Sequence, residues 1–166
     1  MKKTVLGVRI DDVSMNEAIS IVDGWLFRSG KHYIVTPNPE FLVTAQKDFE
    51  FKKILNSADL AIPDGVGLKF GGVKNKVVGT DLMESLVKLA AEKGYTIGLL
   101  GGKDGVAEKA VECLKNKYSG LKVSFAKAEP VTVTKECDLL FVAFGHPKQE
   151  KWIYQNLPDI KVKVAM

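Results

Sequence analysis

Four short stretches hold the side chains best suited to chemistry: TPNPEF, IPDGVG, LLGGKDG and FGHPKQE. In IPDGVG, Asp64 stands between Pro63 and Gly65, a common turn sequence that also projects a carboxylate from a stiff support. Such a carboxylate can serve as a general base, provided that it is partly desolvated or well aligned, because in water it is a weak one. In TPNPEF, Asn38 with Pro39 and Glu40 reads as a helix cap, a first-turn proline and a dipole partner. Two prolines flanking Asn38 stiffen the backbone more than a cap requires, so Thr36 and Asn38 are also candidate neutral partners for sugar hydroxyls. In LLGGKDG, Gly101 and Gly102 precede a helix start, where backbone can approach a phosphate closely, and Asp104 reads as the helix cap. In FGHPKQE, Gly145 lets a ligand approach the strand end and Pro147 opens a helix without wasting an N–H. Gln149 then offers a neutral donor and acceptor.

Other chemistries find little support. His32 and His146 are the two histidines, without HxxxH, HExxH or a cysteine partner, so no metal site is expected. No GxSxG elbow, GxGxxG fingerprint or Walker pattern occurs. Cys113 and Cys137 lack CxxC spacing and read as small core residues in a reducing cytosol. The net charge is +4, carried by 22 lysines and two arginines, Arg9 and Arg28. The lysines are dispersed at helical surface spacings, which argues against nucleic acid as a partner. No apolar run is long enough to cross a bilayer, and MKKTVLGVRIDD reaches charge too soon for a secretory signal.

The elements that must position these stretches alternate between apolar runs and amphipathic patterns, the mark of an α/β chain. TVLGVRI reads as a first strand, and Ser14 with Glu17 as a capping box before MNEAISIVDGWLFRSG. HYIVT is a strand, PEFLVTAQKDFEFKKILNSA is helical in one or two pieces, and DLAIPDG is a short strand. TDLMESLVKLAAEKG is a helix closed by Gly94. YTIGLLGG, LKVSFA, CDLLFVAFG and IKVKVAM are strands, separated by DGVAEKAVECLKNKYSG, an irregular stretch at residues 127–135 and PKQEKWIYQNL. The expected architecture is a Rossmann-like, mostly parallel sheet flanked by helices. It forms a single domain over residues 1–166 or two small lobes around a cleft. The loops after strands then share one edge, where ligands bind in such sheets. GGVKNK, with no evident apolar anchor, is the expected mobile loop. The last strand reads as buried yet has no helix after it to cover it, and an uncapped last strand with an exposed sheet edge would favour self-association into a homo-oligomer.

Taken together, TPNPEF, IPDGVG, VVGTDLM and FVAFGHPKQEKWI, in this order and spacing, closely resemble the WecG/TagA/CpsF glycosyltransferase family over nearly the whole chain. The most specific element is GxPxQExW, met by Gly145, Pro147, Gln149, Glu150 and Trp152. The resemblance implies a metal-independent, inverting transferase without cofactor. It would move N-acetylmannosamine from its UDP donor to a polyprenyl-diphosphate-linked N-acetylglucosamine, for teichoic acid or a related surface polysaccharide. It assigns Asp64 as the base and carries the TPN threonine and asparagine onto Thr36 and Asn38, and the motif glutamine onto Gln149. Lys76 stands where the family commonly has arginine, giving a point charge without the bidentate fork. Stabilisation of the departing UDP is then expected from helix-start N–H groups, Lys76, Lys103 and residues beyond this sequence. The family's basic C-terminal appendage, through which it meets the cytoplasmic face of the membrane, is expected to be missing here. Two alternatives accompany this reading. One is a relative using UDP-glucose or N-acetylmannosaminuronic acid, and the other a non-catalytic nucleotide-binding module or nicotinamide oxidoreductase on the same fold.

Overall fold

The computed structural model describes residues 1–103, 105–128 and 135–166. Asp104, expected as a helix cap, and residues 129–134 of the irregular stretch lie outside the described residues. Two strands, β1 (Lys2–Val5) and β2 (Val8–Asp11), form an antiparallel hairpin ahead of the main sheet. The expected single first strand is therefore two, folded at Leu6 and Gly7, whose φ angles are 50° and 76°. Leucine is rare in that left-handed conformation, which is why the turn is silent in the sequence.

The other strands are β3 (His32–Val35), β4 (Leu60–Ala61), β5 (Thr96–Gly101), β6 (Lys122–Lys127), β7 (Cys137–Ala143) and β8 (Val162–Ala165). They form one parallel sheet in the order β4-β3-β8-β7-β5-β6. The final strand is thus central, paired with β3 on one side and β7 on the other, and the sheet edges are β4 and β6. The burial expected of the last strand is found, with Val164 and Ala165 fully buried between two neighbours. Short parallel strands buried on both faces read alike at an edge and in the middle, so local pattern could not decide.

Helices are α1 (Met15–Phe27), α2 (Pro39–Lys47), α3 (Phe49–Ser57), α4 (Gly79–Lys93), α5 (Val106–Lys117) and α6 (Lys148–Asn156), with a 3-10 helix at Val66–Gly71. One core joins Tyr33 and Val35 to α2, α3, α6 and the hairpin, with Phe51, Leu55 and Ile153 buried. The other joins Ile34 to α1, α4 and α5, with Leu82, Leu86 and Ile97 fully buried. Neighbouring residues on β3 thus feed opposite cores, as strand alternation requires. Ser14 and Glu17 form the expected capping box, and Gly94 ends α4 at φ 76°. Asp48 caps both sides of its break: it ends α2, and its side chain accepts the Phe51 N–H at 2.9 Å to begin α3.

The GGVKNK segment is anchored, contrary to expectation. Val73 is 3% exposed, and the Asp12 carboxylate accepts N–H groups from Lys74 and from Asn75, backbone and side chain. Burial opposes charge on Asp12, but those N–H groups outweigh it and hold the carboxyl below its usual range. Of the cysteines, Cys137 is in the core, where burial pushes its thiol up to about 12, whereas Cys113 is exposed.

Candidate active site

A cavity of about 300 Å³ opens at the carboxyl ends of β3, β5 and β7, the edge where parallel sheets bind ligands. Ile34, Leu99, Phe141, Met83, Ala110 and Met166 give it an apolar floor. The polar lining comes from Thr36, Asp64, Thr80, Gln149 and Glu150, with backbone at Gly79, Gly101 and Gly102.

Asp64 is fixed from two directions. Its backbone N–H donates to the Pro37 carbonyl at 3.0 Å, which ties the IPDGVG turn to TPNPEF. Its Oδ2 accepts the N–H of Gly79, the first residue of α4, at 3.1 Å. No side chain caps α4 locally, so this carboxylate serves the orphan N–H and sits in the positive end of the helix dipole. Among the described residues, Oδ1 accepts no hydrogen bond. Gly79 is where the three loops meet. A Cβ there would stand 3.2 Å from Thr36 Cγ2 and 3.3 Å from Asp64 Oδ2, so glycine permits the close approach.

The remaining predicted residues divide. Gly101 and Gly102 line the cavity, yet their smallness answers to the fold. A Cβ on Gly101 would lie 2.4 Å from the Ala143 carbonyl oxygen, and one on Gly102 3.0 Å from Val106 Cβ. Gln149 also lines the cavity, and its amide is oriented at both ends. Oε1 accepts the Gly145 N–H at 3.1 Å, and Nε2 donates to Glu150 Oε1 at 2.8 Å. Asn38 caps α2, accepting the Phe41 N–H at 3.0 Å. Asn38, Lys76, Gly145 and Pro147 do not line the cavity, and neither does Lys103. Gly145 instead shapes the turn at φ 77° and holds Gln149, while Pro147 precedes the first helical residue of α6.

Three lining groups escaped the sequence reading. Gly79 and Thr80 lie in VVGTDLM, where a glycine opening a helix was the available signal. Glu150 entered only as part of the GxPxQExW pattern, yet it is 3% exposed, and among the described residues its Oε2 has no hydrogen-bond partner. Burial pushes its carboxyl up from the ordinary range, with the Gln149 contact offsetting part of that rise.

Neither arginine lines the cavity. Arg9 pairs with Asp11 at 3.1 Å and also donates to the Ala58 carbonyl, locking the hairpin to the sheet. His146 stacks on Phe41 with ring centres 4.9 Å apart, and His32 stacks on Trp25 at 4.4 Å. Among the described residues no group of three or more His, Cys, Asp or Glu could hold a metal ion. The cationic resource at the cavity is instead backbone. The first turns of α4, α5 and α6 all contribute to its lining through Gly79, Val106, Ala107 and Gln149.

Such an arrangement supports proton removal from a hydroxyl beside stabilisation of a departing anion. Comparison with known proteins agrees with that chemistry. The model of the glycosyl transferase WecG/TagA/CpsF family matches residues 3–166. The chain is 26% identical over 182 aligned positions to the N-acetylglucosaminyldiphosphoundecaprenol N-acetyl-beta-D-mannosaminyltransferase of Staphylococcus aureus strain MRSA252. The protein of that name in strain NCTC 8325 / PS 47 is 27% identical. Each alignment covers 99% of this chain and 72% of the relative.

Proposed function

The chain belongs to the WecG/TagA/CpsF glycosyltransferase family, and from that premise we propose that it transfers N-acetylmannosamine from UDP-N-acetylmannosamine to a polyprenyl-diphosphate-linked N-acetylglucosamine. The product would prime teichoic acid or a related surface polysaccharide. The observation that carries the reading is Asp64, held at the cavity by the first N–H of α4 and facing it together with Thr36 and Gln149.

In the proposed step an acceptor hydroxyl oxygen attacks the anomeric carbon of the donor sugar. The bond from that carbon to the UDP oxygen breaks on the opposite face, so configuration inverts. Asp64 takes the hydroxyl proton through its free Oδ1, and UDP leaves with the bonding electron pair. Held at Oδ2 by a backbone N–H, the carboxylate needs no rearrangement to act. The helix starts at Gly79, Val106 and Gln149 offer N–H groups and dipole to the diphosphate, in place of a bound cation. Thr36 and Gln149 orient the sugar hydroxyls and its acetamido group, and the apolar floor takes an apolar face of the donor. No helix among the described residues is long and apolar enough to cross a membrane. With a lipid-linked acceptor, the reaction would run at the cytoplasmic membrane face.

A product assay with purified lipid-linked acceptor and a panel of UDP-N-acetylmannosamine, UDP-glucose and UDP-N-acetylmannosaminuronic acid tests both reaction and donor. Transfer from the first donor with an inverted linkage is expected. UDP-sugar binding without product from any donor would overturn the reading in favour of a binding module.

A further inference from the structure

The transfer chemistry leaves unused the surface just beyond Asp64. The 3-10 helix there turns its small and buried residues inward: Leu68 is fully buried, a Cβ on Gly67 would stand 2.5 Å from Pro39 Cγ, and one on Gly71 2.5 Å from Val5 Cγ2. Its other side faces solvent, with Phe70 98% and Val66 64% exposed. Two more apolar side chains extend the patch, Leu6 at the hairpin turn (59%) and Val43 on α2 (56%). Pro39, Val43 and Gln46 lie on one stripe of α2, spaced four and three residues apart. At one end of the stripe Pro39 meets Gly67, and at the other Gln46 Nε2 donates to the Leu6 carbonyl at 2.9 Å. Val43 therefore spans the gap between the 3-10 helix and the hairpin turn. Lys47, Lys69 and Lys74 are exposed on the same segments, and among the described residues none has a carboxylate within ion-pair distance.

Single exposed apolar residues are ordinary, but a contiguous group led by a fully exposed phenylalanine is not. Protruding apolar tips beside uncompensated cations complement a surface that is apolar beneath and anionic on top, which is an anionic lipid bilayer. We propose that the face built from the 3-10 helix, the Leu6 turn and the Val43 stripe docks on an anionic bilayer. Phe70 and Val66 enter the boundary between headgroups and acyl chains, and Lys69 and Lys74 meet lipid phosphates. Because Gly65 alone separates Asp64 from this helix, docking sets the carboxylate beside the membrane surface. That last consequence rests on the transferase reading, whereas the docking does not.

The test is co-sedimentation of the whole chain with vesicles of phosphatidylglycerol and phosphatidylcholine, against phosphatidylcholine alone, with no sugar substrate present. Binding to the anionic vesicles that weakens with salt is expected. Val66→Asp with Phe70→Asp lowers the partition coefficient about tenfold or more, and Lys69→Glu with Lys74→Glu abolishes the preference for anionic lipid. Thermal melting of both double variants stays close to that of the parent, since these side chains are exposed. Transfer to a water-soluble short-chain acceptor, measured separately, is retained by the aspartate pair, so failure of docking and failure of the transferase reading are told apart. The proposal is overturned if the parent chain does not bind anionic vesicles or if the aspartate pair binds equally well. It is also overturned if that pair changes only the sedimentation mass without lipid, which would make the patch a contact between copies.

Discussion

Asp64 combines two demands that a single carboxylate rarely meets together: one oxygen completes a helix start, and the other stays open to the cavity. Asp64→Asn keeps an oxygen for the Gly79 N–H but removes the base. Transfer is expected to fall by about 10²–10⁴ with the melting temperature nearly unchanged, read by product assay and thermal scan. Glu150 poses the opposite problem, a buried carboxylate with one oxygen unpartnered among the described residues. With its folded pKa raised by burial, the native state binds this proton more tightly than the unfolded chain does. The resulting stabilisation is complete below the ordinary carboxylate range and disappears as pH climbs through the raised value, above which the charge is buried. Glu150→Gln should therefore raise the melting temperature above the raised pKa and lose that advantage below about pH 4, measured by scans across pH. Its retained carbonyl still accepts from Gln149, so the amide stays oriented.

Asp48 shows how one residue can organise three elements. It ends α2, starts α3 and accepts Lys151 Nζ of α6 at 2.8 Å, with Glu50 sharing that lysine at 3.0 Å. The Lys151 hydrogen bond, then the Phe51 N–H, hold the Asp48 carboxyl below its usual range. Its stabilisation is present above the unfolded carboxylate pKa and is lost as pH falls through the depressed folded value. Asp48→Ala should cost about 1–2 kcal/mol in denaturant titration at neutral pH and flatten the acid limb of the stability profile. The caps at Ser14, Asn38 and Gly94 and every α-helix were legible locally, because capping and period are local properties. The Leu6 turn, the 3-10 helix and the anchoring of GGVKNK were not. That loop is held by Asp12, a partner 62 positions from Lys74, and no window of sequence joins them. At the site, strand-end loops pointed to Thr36, Asp64, Gly101, Gly102 and Gln149, all of which reach the cavity. Glu150 was missed because its helix position alone did not reveal its burial. Lys76 was favoured through a resemblance whose arginine has a longer reach and a planar fork.

For the molecule as a whole, the sheet is two groups of strands bridged by one. β4 and β3 lie on one side of β8, and β7, β5 and β6 on the other. Val164 and Ala165 are fully buried at that bridge, and Met166 exchanges hydrogen bonds with Leu140 and Val142. Deleting residues 162–166 should therefore abolish the cooperative thermal transition rather than trim its midpoint, with near-ultraviolet circular dichroism lost alongside. Both cores straddle the bridge, so neither group keeps a complete apolar interior without it. The same arrangement bears on biosynthesis. While the chain emerges from a ribosome, β3 and β7 expose flanks reserved for β8, which is translated after both. Until that segment emerges the nascent polypeptide has two unsealed half-sheets, a state that invites capture by chaperones.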